Sequence, residues 1–367
     1  MKRIFHIISH FDMGGAERVA ANIAKSRHAG YEYHVVELLR SHTHYTEVFL
    51  RELEAEGICC HRSLIPEFHF HYVVERLAAV LFPLRMLWLW LRYHPAVVHS
   101  HTEMPDMAVW LSFTLLPWMK RDCRVVRTIH NTQLWTGLKK TGKRVETFFQ
   151  GVDANIAISE SVRRCYAACY AQLPPIIYNG VSPVATKEYP GLLKDKKNIL
   201  FAGRLESQKG IHTLIDIILS TNVDLYHFHI LGDGSLRALI MEKLQGRENV
   251  SINPPVYGLS AYLASFDYLL MPSEFEGLSM LSIEASMQLL PVIANDCPGL
   301  ADTLPPDWPL CAHGNRLEDY VRIFAEVLPA AHRNALAQKA HAFAQQHFSV
   351  ENMQWEYEKV YGRIFPA

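Results

Sequence analysis

The chain of 367 residues is short of several things that would point its function elsewhere. It has almost no net charge: 36 Lys and Arg against 37 Asp and Glu leave −1 at pH 7. Broad nucleic-acid binding needs a strongly basic face, so no nucleic-acid partner is expected. Paired C-x-x-C units are absent. The seven cysteines (Cys59, Cys60, Cys123, Cys165, Cys169, Cys297 and Cys311) are odd in number. They read as free thiols in a reducing compartment rather than as a zinc or disulfide framework. No hydrophobic run is long. The longest, Leu77 to Leu91, is interrupted by Pro83 and Arg85, and it falls short of the roughly 20 apolar residues of a spanning helix. Ile4-Phe5-His6-Ile7-Ile8, behind Lys2-Arg3, is too short for a signal core and reads as a buried first strand. A cytoplasmic protein is expected.

What is present is alternation. In the first half, strands are expected at 4–8, 33–38, 97–99, 124–129, 154–158 and 176–178. Helices are expected between them at 16–27, 45–56, 72–92, 106–118, 142–150 and 160–167. A linker with Pro183, Pro190 and several lysines follows Asn179-Gly180-Val181. A second series then begins, with strands at 199–202, 226–231, 250–252, 268–271, 291–294 and a weak one at Leu310. Its helices are expected at 211–220, 235–244, 259–265, 279–288, 317–328 and 330–346. Short buried strands alternating with helices imply parallel sheets of βαβ units. The fold class is α/β, with two doubly wound Rossmann-like domains whose strand C-termini face a cleft. The first domain is expected over 1–182 and the second over 183–349. The last helix, 350–365, carries Trp355, Tyr357, Tyr361 and Phe365 and is expected to cross back to the first domain.

Three strand-end loops carry candidate chemistry. His10-Phe11-Asp12-Met13-Gly14-Gly15-Ala16-Glu17 puts two glycines at a helix start, where backbone amides can meet a phosphate. It is not G-x-G-x-x-G, which removes the main support for a nicotinamide dehydrogenase. Gly203-Arg204-Leu205-Glu206-Ser207-Gln208-Lys209-Gly210 follows a strand and offers a guanidinium fork and an ammonium, a set that suits a diphosphate. Pro272–Glu284 holds Glu276 at a glycine-containing loop and Glu284 eight positions on, about two helical turns deeper. Carboxylates accept hydrogen bonds from sugar hydroxyls; acids at a helix start also serve simply as caps. No Asp-x-Asp stands beside a strand end. Asp12, Asp106 and Asp153 are isolated. The twenty histidines, including His69-x-His71 and His99-x-His101, read mostly as core or surface residues, and no metal is expected.

Taken in order, Gly14-Gly15-Ala16-Glu17-Arg18-Val19, Val97-Val98-His99-Ser100-His101, Thr128-Ile129-His130-Asn131, Asn179-Gly180-Val181, Gly203-Arg204…Gln208-Lys209-Gly210, Gly232-Asp233-Gly234 and the Glu276/Glu284 pair resemble family-four retaining glycosyltransferases of the GT-B fold. The likeness implies that Gly14 and Gly15 close over donor phosphates and that Arg204 and Lys209 grip the diphosphate. It implies that Glu284 holds ribose hydroxyls and Glu276 the donor sugar, with Gly277 and Leu278 beside it. The backbone amides of Gly299 and Leu300 would meet sugar or phosphate, and Gly232 would lie near the base. His130 would lie near the reacting sugar, with His99, His101 and Asn131 on the acceptor side. Two positions depart from the family: Leu289 stands where a glycine is usual, and Ser279 where proline is frequent.

The resemblance implies a donor-binding second domain, an acceptor-binding first domain and no cofactor. The donor would be a nucleotide-diphosphate sugar, with a UDP-sugar favoured. The acceptor would be a glycan or lipid-linked glycan of bacterial surface polysaccharide or lipopolysaccharide synthesis. Aromatic and basic residues over 72–92, with Arg76, Arg85 and Arg92, suit a peripheral contact with an anionic membrane. Two other readings stay open on the residues: a nucleotide-sugar epimerase of the same shape, using His130, His99 and Glu276, or a non-catalytic sugar-nucleotide-binding partner.

Overall fold

The computed structural model describes residues 1–12, 14–67 and 71–364. The readings at Met13, His69 and Phe365 fall outside the described residues. The chain divides into two compact units. One is Met1–Gly180 together with the chain from Val350 onward, and the other is Val181–Ser349.

The first unit runs β1 (Lys2–Ile8), α1 (Gly15–Ala24), β2 (Tyr31–Glu37), α2 (His44–Ala55), β3 (Cys59–His61), α3 (His71–Tyr93), β4 (Val97–His101), α4 (Glu103–Leu115), β5 (Arg124–Ile129), α5 (Lys139–Gly151), β6 (Asn155–Ala157) and α6 (Glu160–Tyr170). Its six strands are parallel in the order β3-β2-β1-β4-β5-β6. The strands are buried on both faces because helices cover both: Phe5, Ile7, Val36 and Val98 on one face, and Ile4, His6, Val35 and Val97 on the other, are wholly or almost wholly enclosed. The order reverses beside β1, so the loops after β1 and β4 open at a topological switch point.

The second unit repeats the plan. It runs β7 (Lys197–Ala202), α7 (Ile211–Ser220), β8 (Tyr226–Leu231), α8 (Arg237–Lys243), β9 (Val250–Asn253), β10 (Tyr268–Met271), α9 (Met280–Met287), β11 (Val292–Asn295), β12 (Cys311–Ala312), α10 (Leu317–Arg322), α11 (Leu328–Ala330) and α12 (Arg333–His347). Its sheet order is β12-β11-β10-β7-β8-β9. The final helix, α13 (Val350–Ile364), belongs to the first unit, as its aromatic face required. Tyr357 and Tyr361 are wholly buried there. Their hydroxyls bond Thr128 Oγ1 and His99 Nδ1, each at 2.7 Å.

Several elements differ from expectation. Cys59–His61 pairs with β2 as an edge strand, too short to stand out in the sequence. Ile176 makes only an isolated bridge to Ala157. Leu259–Ser265 is a 3-10 turn entered through left-handed Gly258. Expected helix 330–346 starts at Arg333, because Ala331 is extended.

Candidate active site

In the second unit, three loops at strand C-termini are packed backbone to backbone. Gly232 and Gly234, after β8, press on the loop after β7. A Cβ at Gly232 would sit 2.1 Å from the Gly203 carbonyl oxygen, and one at Gly234 would sit 2.6 Å from that of Leu205. The Leu205 amide also bonds the Asp233 carbonyl at 2.8 Å. Gly210 closes the loop after β7 in the left-handed region, with φ +69. A Cβ there would lie 1.8 Å from the Pro272 carbonyl oxygen, so the loops after β7 and β10 touch only because this residue is glycine.

That contact brings the expected charges together. Lys209 Nζ lies 2.6 Å from Glu276 Oε1, with the two side chains 18% and 10% exposed. An ammonium and a carboxylate this enclosed fix each other's direction, since either alone would lose solvation without compensation. Arg204 Nη2 donates to Gln208 Oε1 at 3.1 Å, and Gln208 Nε2 donates to the Phe275 carbonyl at 3.1 Å. The Gln208 carbonyl accepts from the Glu274 amide at 2.8 Å. Arg204, Lys209 and Glu276 thus share one braced loop pair.

The turn at Gly299 completes the brace. With φ +75, its Cβ position would lie 2.2 Å from the Glu276 carbonyl. The Glu276 amide bonds the Pro298 carbonyl, and the Ser279 amide bonds that of Gly299, each at 2.9 Å. Leu278 and Leu300 are buried, and the Leu300 amide is already engaged by the Cys297 carbonyl at 3.2 Å. Ser279, at the position where proline is frequent, caps α9: its Oγ accepts from the Ser282 amide. Glu284 stands in α9, where its Oε2 accepts from Ser260 Oγ at 2.8 Å. The turn after β9 thus braces it. Leu289, where glycine is usual, occupies the left-handed region at φ +56.

In the first unit, α1 opens at Gly14. A Cβ there would collide with the carboxylate of Glu17, which folds back over it at 1.9 Å, whereas Gly15 faces open space. The expected histidines form a buried chain. His130 Nε2 meets His101 Nδ1 at 3.2 Å, and His101 Nε2 meets His6 Nδ1 at 3.0 Å. His99 is fully buried and held by Thr128 Oγ1 and Tyr361. Asn131 is exposed. Burial lowers the pKa of His6 and His130 to about 3 and those of His99 and His101 well below the usual value, so all four rings are neutral at pH 7.

Two features went unseen in the sequence. His6, in an apolar strand, ends the histidine chain. Arg127 is wholly buried between Asp106 Oδ2 at 2.7 Å and both oxygens of Glu146 at 2.7 and 2.8 Å. The available signal was a charge inside Val125-Val126-Arg127-Thr128-Ile129, a run otherwise fit for burial.

Comparison with known proteins bears on this arrangement. Residues 13–184 match the family model Glycosyltransferase Family 4, and residues 196–329 match Glycosyl transferases group 1. An uncharacterized 41.2 kDa protein of the cps region of Klebsiella pneumoniae is 29% identical over 57% of this chain and 62% of its own length. The amylovoran biosynthesis glycosyltransferase AmsD of Erwinia amylovora is 27% identical over 42% of this chain and 47% of its own length. The chain therefore spans less than two thirds of either relative. Among solved structures, Anabaena Alr3699/HepE in complex with UDP and glucose superposes with a TM-score of 0.80 over 98% of this chain and 99% of that one, at 16% identity, a likeness of fold. The chain thus carries a Glycosyltransferase Family 4 domain followed by a Glycosyl transferases group 1 domain, on the two-sheet fold of GT-B glycosyltransferases.

Proposed function

We propose that the chain is a retaining, metal-independent hexosyltransferase. It would move a sugar from a nucleotide-diphosphate donor, with a UDP-sugar favoured, to a glycan or lipid-linked acceptor in bacterial surface polysaccharide synthesis. The observation that carries the reading is the enclosed Lys209–Glu276 contact on loops that also present Arg204. Breaking a sugar–phosphate bond builds negative charge on the leaving diphosphate and positive charge on the anomeric carbon. Fixed cations on the diphosphate act most strongly in the transition state, where that charge peaks. Lys209 and Arg204 fit this role, and Glu276 fits that of a sugar-hydroxyl acceptor whose position Lys209 holds. Glu284 would take ribose hydroxyls. Retention would follow from attack on the face that the diphosphate leaves, its oxygen taking the acceptor's proton.

The second unit would hold the donor and the first the acceptor, with neutral His130 hydrogen-bonding a sugar hydroxyl. The UDP and glucose bound by Alr3699/HepE support the donor class, and the amylovoran and cps-region relatives support the product class. The test is nucleotide release from a panel of UDP-, GDP- and ADP-sugars, with and without acceptor, in Lys209→Ala. Turnover should fall at least tenfold with an unchanged circular-dichroism spectrum, and EDTA should leave the parent's turnover unaltered. Parent-like turnover in the variant would remove the assignment.

A further inference from the structure

The helix α3 buries one face and leaves its opposite face apolar and bare. Ala78, Ala79, Phe82, Met86 and Leu89 lie in the core. On the outer side, Val73 (68% exposed), Leu77, Val80, Leu84 (72%), Trp88 (57%) and Leu91 recur at steps of three and four. The row runs for roughly 27 Å at 1.5 Å per residue. A stripe of this kind on a folded chain marks an interaction surface. The sequence had set three arginines along it; the structure withdraws one. Arg85 turns inward and donates to the carbonyls of Glu37, His61 and Arg62, at the ends of β2 and β3. Between Arg76 and Arg92 the outer row therefore carries no charge at all.

The surroundings say what covers it. The helix α4 packs beside α3, and α5 beside α4. The chain just past α4 exposes Trp118, Lys120 and Arg121. On α5, Lys139, Lys140, Lys143 and Arg144 are exposed, while its one acid, Glu146, is buried on Arg127. A second copy would offer this side the same cations, with the one acid of α5 buried on Arg127 and none on that helix to meet them. No helix among the described residues is long and apolar enough to cross a membrane. An apolar row flanked by cations, on a helix held flat against its own sheet, fits the interface of an anionic bilayer.

We propose that α3 is the membrane-facing surface of this chain. Its outer row would enter the headgroup–acyl boundary, and the lysines of α5 would lie on anionic phospholipid headgroups. This goes beyond the sugar-transfer reading and stands without it. The experiment is co-sedimentation of the full chain with vesicles of phosphatidylcholine alone and of phosphatidylcholine with phosphatidylglycerol, at low and high salt. The chain should bind the anionic vesicles at low salt, release as salt rises, and shift its tryptophan emission to the blue. The double variant Leu84→Glu/Trp88→Glu should bind at least tenfold less, with an unchanged melting temperature and unchanged donor turnover in detergent-free solution. A quadruple charge reversal at Lys139, Lys140, Lys143 and Arg144 should abolish the salt-sensitive part. Failure to bind at low salt overturns the proposal, as does undiminished binding by the double variant. So does a dimer of the parent chain that the double variant dissolves, which would make a second copy the occupant.

Discussion

Two sheets of this chain follow one strand order and are filled by different means. In the first unit the C-terminal ends of β1, β4 and β5 hold a polar interior: the His6–His101–His130 chain, His99 between Thr128 and Tyr361, and Arg127 between Asp106 and Glu146. In the second, isoleucine, leucine and phenylalanine from β7, β8, β10, β11 and α7 make one apolar cluster. Its Lys209–Glu276 pair sits in loops and keeps some solvent contact. The first interior is specified by partners, because a buried polar group without one is costly. The second is specified by volume and by glycines that let loops touch. One topology thus supports two kinds of precision, and each fails differently.

The sharpest way to break the contrast is Arg127→Met. It strands two buried carboxylates and should cost about 3–5 kcal/mol. Trp308 is the one tryptophan of the second unit, so urea unfolding followed by tryptophan emission reports mainly on the first. Stability equal to that of the parent would show the network to be dispensable. In the second unit the comparable break is steric. Gly210→Ala forces a Cβ into the Pro272 carbonyl at a left-handed position and should cost about 2–4 kcal/mol. A neutral thermal shift would mean that the loops after β7 and β10 part freely.

Acid should separate the units next. His6, His34, His61, His99, His101 and His130 of the first unit have folded pKa values below the ordinary 6.5, His6 and His130 at about 3. As pH falls, the unfolded chain takes protons first. The histidine contribution is therefore full above about pH 6.5 and is lost progressively toward pH 3, by up to about 1.4 kcal/mol per group per pH unit, while Asp106, whose burial raises its carboxyl to about 7, works in the opposite sense. The second unit's His229, lowered to about 4, adds the same sign on a smaller scale. Tryptophan-detected melting temperatures should drop between pH 7 and pH 5; a flat profile would contradict the buried, neutral rings. The smallest effect is a gain. Leu289→Gly relieves a left-handed leucine that is 44% exposed and should raise stability by about 0.5–1 kcal/mol in urea titration.

Much of the fold was legible because strands and helices announce themselves locally. The loops at Gly14, Gly203–Gly210 and Glu276 were legible because glycine and charge beside a strand end break the apolar pattern. Glu284 was read in the right helix, yet its partner, Ser260, comes from another loop. The edge strand Cys59–His61 escaped because three residues are too few to show a period. The inward turn of Arg85 escaped because its acceptors, three backbone carbonyls, have no sequence signature.

By itself the sequence determined the βαβ alternation, the break near residue 180, the return of the last aromatic helix and the loops that bear the candidate chemistry. Each depends on period, composition or a backbone freedom that one residue confers. Tertiary structure alone decided which charges face water and which rings lose their protons. It also decided that Lys209 meets Glu276 across 67 positions and His6 meets His101 across 95. Those outcomes depend on burial and on contact between distant segments, and both exist only once parallel strands have brought the segments side by side.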